Sequence, residues 1–129
     1  MGSVIFAARV MPEGLEEVLA EGGFLDGGRI THVQNTAVAI SKIKAKPADL
    51  VVVSTTCPGA EPHFGAVHAA IGQKGCRYVI VAINNCHLDM TAERQFYQSM
   101  GVDDVVTLPN IVQELPNILQ ELSRQRDAS

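Results

Sequence analysis

No apolar run in this sequence approaches the roughly 20 residues that a bilayer crossing requires. The longest, Leu50 to Val53 and Tyr78 to Ile83, are far shorter, so a membrane-spanning helix is excluded. A basic face is lacking as well: ten Lys and Arg are scattered among fourteen Asp and Glu, for a formal net charge of −4 and a pI of about 5.5. Such a chain has little with which to neutralise a phosphate backbone, and no nucleic-acid partner is expected. Cysteine is scarce. Cys57, Cys76 and Cys86 are an odd number with no CxxC spacing, which argues against a disulfide framework and for reduced thiols. The N-terminus shows no basic start followed by an apolar core and a small-residue cleavage site, so the expected compartment is the cytoplasm.

What is present is an ordinary globular balance. Hydrophobic residues make up 47% and charged residues 19%, too apolar for a linker or disordered tail, and 129 residues suit one domain spanning 1–129. No repeat or low-complexity stretch interrupts it. Leu50 to Val53 and Tyr78 to Ile83 are continuous, rich in β-branched residues and bounded by turn residues, and so read as buried strands. Val4 to Ala8, Ile30 to Val33 and Val105 to Thr107 are weaker examples of the same kind.

Helical spacing lies between them. Leu115, Ile118, Leu119 and Leu122 stand at i, i+3, i+4 and i+7 in the last helix, and Leu15, Val18 and Leu19 stripe a first helix from Pro12 to about Glu21, stopped by Gly22-Gly23. Ala39, Ile40 and Ile43 mark a second helix, Phe64, Val67 and Ile71 a third, and Phe96, Tyr97 and Met100 a fourth. Five strands alternating with five helices predict an α/β fold, a five-stranded parallel sheet with helices on both faces. Pro116 conflicts with the last helix, which is expected either to kink there or to restart with Pro116 in its first turn.

In an open parallel sheet, ligands bind beyond the carboxyl ends of the strands. The loops there hold Arg9-Val10-Met11, Gln34-Asn35, Ser54 to Gly59, Asn84-Asn85-Cys86-His87 and Thr107 to Asn110. No carboxylate stands near the end of the first, third or fifth strand. A hard divalent cation or an acyl-phosphate site needs converging oxygen anions, so no such metal site is expected. Asp103 and Asp104 precede the fifth strand, at the opposite edge, and read as a solvated loop.

Two segments resemble a known family. Lys46-Pro-Ala-Asp-Leu-Val-Val-Val-Ser-Thr-Thr-Cys-Pro-Gly59 is similar to the response-regulator receiver pattern K-P-D-L-V-x-x-D-x-x-x-P-G, and Gly101-Val-Asp-Asp-Val-Val-Thr-Leu-Pro109 resembles G-A-D-D-Y-x-x-K-P. The likeness runs from the first strand to the last helix, with about two extra residues after the fourth strand. Carried over, the receiver's acidic pair falls on Arg9 and Val10, its phosphoacceptor Asp on Ser54, its switch Ser or Thr near Asn84, and its Lys on Leu108, with Pro109 retained. The resemblance therefore implies a CheY-like pseudo-receiver with a degenerate phosphorylation pocket, catalysing nothing and working through a protein partner or a homodimer. It also places the partner surface on the fourth helix, fifth strand and fifth helix, at Phe96, Tyr97, Met100 and Leu108. A second, weaker resemblance is to cobalamin-binding flavodoxin-like domains, in the Gly101 to Leu122 segment. Their D-x-H-x-x-G motif is missing, since Arg9 to Gly14 holds no His.

The alternative function is a small-molecule or cofactor binder. Candidate ligand contacts are Arg9, Ser54, Thr55, Cys57, Asn84 and Cys86; a cation at Arg9 could hold a carboxylate or phosphate, or pair across an interface. Cys57, Cys86, His87 and His63 are residue types that hold zinc or copper, but their spacing alone shows no such geometry, and neither cofactor nor metal is expected. Cys76 reads as a small buried apolar residue, and His32 and His68 as structural or surface residues. The hydroxyls of Ser54, Thr55 and Thr56 are formal kinase targets, although a buried strand-end hydroxyl is the plainer account of Ser54.

Overall fold

A strand with no polar residue on either side can be buried only if both faces of its sheet are covered. In the computed structural model, β3 (Leu50–Ser54), apolar up to its last residue, and β4 (Tyr78–Ile83) are of this kind, paired side by side with every residue buried. The structure describes residues 4–8, 11–23, 30–34, 36–45, 49–54, 78–83, 91–99 and 101–128. Around the central pair lie β1 (Val4–Ala7), β2 (Thr31–Val33) and β5 (Asp104–Thr107), in the order β2-β1-β3-β4-β5. All four pairings are parallel, and the register sets Val53 against Ala7 and Ser54 against Ala82. The order reverses between β1 and β3, so the crevice expected for a ligand opens beyond those two strands. The predicted five-stranded parallel sheet with helices on both faces is the observed fold.

Alternate strand residues face opposite layers. Ile5, Ala7, Val51, Val53, Val79, Val81 and Val105 share a cluster with Ala39 of α2 (Thr36–Ala45), and Tyr97 of α3 (Thr91–Ser99) packs against it. Phe6, Leu50, Val52, Ile80 and Val106 face α1 (Leu15–Glu21) and α4 (Ile111–Ala128), which bury Leu15, Leu19, Ile111, Leu115 and Leu119 completely. Each of those large side chains contributes about 1.5–3 kcal/mol on burial. The helix expected around Phe64, Val67 and Ile71 lies outside the described residues, as does Cys76.

Local chemistry moves several expected boundaries. The first helix starts at Leu15 rather than Pro12 because Gly14, at φ 85°, takes a left-handed conformation that a helix interior cannot contain. Ile30 precedes β2 instead of opening it, and its N–H donates to Glu16 Oε2 at 3.0 Å, tying the strand to α1. At the end of α3, Gly101 adopts φ 99°, its N–H donates to Gln98 O at 3.0 Å, and Val102 N–H reaches back to Tyr97 O at 3.2 Å. This pair of bonds is a Schellman stop, with Val102 and Tyr97 supplying the apolar contact that accompanies it.

The last helix does not restart at Pro116. It runs from Ile111 through Pro116 to Ala128, preceded by a 3-10 turn at Leu108–Asn110. Pro116 lacks the N–H that would reach the carbonyl of Val112, and the complete burial of Leu115 and Leu119 on the next turn offsets that loss. Asp103 and Asp104 are not a solvated loop either. Both are half-buried, and Asp104 opens β5. Asp103 grips Val79 from both sides, its N–H donating to Val79 O at 2.9 Å and its Oδ2 accepting from Val79 N–H at 2.7 Å.

Candidate functional site at the carboxyl edge of the sheet

The carboxyl ends of β1, β3, β4 and β5 converge on one edge. Ser54 closes β3 there, wholly buried and already partnered, so its hydroxyl is not offered to solvent. Leu108 follows β5 as the first residue of the 3-10 turn. It is half-buried and, together with Met11 and Val112, packs against the cluster beneath α1 and α4. Its aliphatic side chain lies on the core at the carboxyl end of β5. Arg9, Val10, Thr55, Cys57, Asn84 and Cys86 lie outside the described residues, as do His63 and His87.

One feature of this edge was not singled out from the sequence. Thr107, the last residue of β5, is 7% exposed, and its Oγ1 has no hydrogen-bond partner among the described residues; it precedes the 3-10 turn without capping it. The sequence signal for it was one hydroxyl ending a short apolar strand. His32, expected as a structural or surface residue, has a structural contact. Its Nε2–H donates to the carbonyl of Ala8 at 2.8 Å, and its ring lies 6.3 Å from that of Phe6, tilted by 59°. The edge strand is thereby tied to the carboxyl end of β1, one residue before Arg9.

The four residues expected on a partner surface are not alike. Phe96 is 60% exposed, a large ring left in water on α3. Tyr97 beside it is half-buried against the α2/α3 layer, the two rings meeting edge to face at 5.1 Å and 79°. Leu108 packs toward the opposite layer, and Met100 lies outside the described residues. Among the described residues no group of three or more His, Cys, Asp or Glu is placed to hold a metal ion. No described helix is long and apolar enough to cross a membrane.

No family model matches the chain, and no curated protein does. Solved structures do. A signal receiver domain from Vibrio parahaemolyticus aligns over 97% of this chain and 92% of its own, at 18% identity and a TM-score of 0.69. A DNA-binding response regulator of the LuxR family from Staphylococcus aureus aligns over 95% and 98%, at 18% identity and 0.68. The fold is that of a receiver domain. A cobalamin-binding protein from Desulfitobacterium hafniense shares the layout more loosely, with a TM-score of 0.58 at 14% identity over 94% of this chain and 58% of its own. Both resemblances seen in the sequence thus reappear in three dimensions, the receiver more closely.

On the receiver fold, the chemistry open to the described part of this edge is narrow. Ser54 and Thr107 supply buried hydroxyls, and Leu108 and Met11 supply apolar surface. None of these four carries a charge.

Proposed function

We propose that this chain is a non-enzymatic regulatory domain that works by binding another protein or a second copy of itself, without aspartyl phosphorylation. The observation that carries the reading is Ser54: on the receiver fold the end of β3 is where the phosphoacceptor carboxylate belongs, and a wholly buried, partnered Ser occupies it. Leu108, packed on the core in the position of the receiver Lys, supports the same conclusion. Arg9 and Val10 in place of the acidic pair, and Asn84 near the switch position, complete the degenerate pocket. The domain acts as one unit in the cytoplasm, and α3, with the exposed Phe96 beside Tyr97, is the surface that meets the partner. A ring left 60% exposed loses apolar hydration when covered, which favours association.

Native mass spectrometry before and after treatment with acetyl phosphate and magnesium tests this. The mass is expected to stay unmodified. A gain of about 80 Da, one phosphoryl group, would overturn the pocket assignment. A stable adduct of any other mass on the untreated protein would move the function to a small-molecule or cofactor binder, with Thr55, Cys57 and Cys86 as the first contacts to probe.

A further inference from the structure

Helix α3, which carries the exposed Phe96, is joined to the sheet by polar side chains as well as by apolar packing. Among its described side chains only Tyr97 packs against the core, and only partly. Two polar side chains make further ties to β5 and to the residue before it. Arg94 Nε donates to Asp104 Oδ1 at 2.9 Å, and the same guanidinium reaches Val105 O at 3.4 Å. Gln98 Nε2 donates to Asp103 O at 3.3 Å. Asp104 is pre-set for its role, because the same Oδ1 accepts the N–H of Val105 at 2.7 Å and Asp103 locks the start of β5 onto Val79. The carboxylate therefore stands on a fixed base, while Arg94 approaches from a helix whose C-terminal end is closed by the Gly101 stop.

We propose that the Arg94–Asp104 pair is an ionic clip that sets how firmly α3 lies on the sheet, and hence how Phe96 and Tyr97 are presented. Its meaning for partner binding rests on the function proposed above; the clip is a property of the free protein. The side chains of Arg94 and Asp104 are 45% and 24% exposed, so mobile ions reach the pair and screen it. An exposed pair of this kind shifts a local equilibrium by no more than about fivefold. That is enough to regulate the exposure of a helix without unfolding the domain, since β4 is also held by β3, which β4 separates from the clip.

The test is amide hydrogen exchange of the free protein, read separately for residues 91–99 and for β3 and β4. Raising the salt from about 0.02 to about 0.5 M should speed exchange in α3 by about two- to fivefold and leave β3 and β4 unchanged. Arg94→Met, which keeps an unbranched apolar stem, and Asp104→Asn, which keeps an oxygen for Val105 N–H, should each give that faster rate at low salt and lose the salt response. Exchange in α3 that ignores both salt and substitution would overturn the clip, and so would a rise shared equally by β3 and β4. A clip that holds in a protein without any partner would instead count against the proposed function alone.

Discussion

At the scale of single residues, the most telling positions are those where a side chain conflicts with its surroundings. The Thr107 hydroxyl is buried with no partner among the described residues, and a buried unsatisfied group of this kind costs about 1–3 kcal/mol. Thr107→Val removes it at nearly constant shape, and an increase in stability of about 1 kcal/mol is expected, read from the midpoint of urea unfolding. Gly101 works the other way. Its φ of 99° is one that a Cβ opposes, so Gly101→Ala should destabilise by about 1–2 kcal/mol in the same measurement. If Gly101→Ala were neutral, the Schellman stop at the end of α3 would not be anchoring that helix to β5.

At the scale of elements, the continuous strands were easy to read and the ends of helices were not. Leu50 to Val53 and Tyr78 to Ile83 have no polar residue to place on a solvent face, so only a doubly covered strand suits them, and both occur where expected. Pro12 in the first turn is a good start signal, but Gly14, free to turn left-handed two residues later, moved the start of α1 to Leu15. The spacing of Ile111, Leu115 and Leu119 outweighed Pro116, because burying leucines on one stripe outlasts the loss of one hydrogen bond. Asp103 and Asp104 misled for a different reason. Two adjacent carboxylates look like a solvated turn, and only the pairing of β5 with β4 brings Val79 N–H within reach of one and α3 brings Arg94 within reach of the other.

At the scale of the whole molecule, stability should grade across the sheet. β3 and β4 are paired on both sides and buried throughout, whereas β2 is an edge strand of three residues with Thr31 and His32 exposed. Amide exchange should therefore be slowest at Leu50–Ser54 and Tyr78–Ile83 and fastest among the strands at Thr31–Val33. Equal protection of β2 would mean that something covers that edge in solution, and a second copy of the chain would be the first occupant to seek. The likeness to receiver domains belongs to this scale too: at 18% identity it is a likeness of the fold.

The sequence by itself determined which segments are buried and in what order strands and helices alternate, because hydrophobic periodicity is a local property of the chain. It also determined which residue types stand at the described strand ends, Ser54 after β3 and Leu108 after β5, on which the proposed loss of phosphorylation rests. The tertiary structure decided whether those residues are reachable. Ser54 became a wholly buried group and Leu108 part of the core surface, while Phe96, apolar by type, was left in water. It also decided that Arg94, ten positions away along the chain, meets Asp104, and that Asp103 meets Val79. Contacts of that kind depend on which elements the fold sets side by side, and no local pattern in the sequence encodes the distance between them.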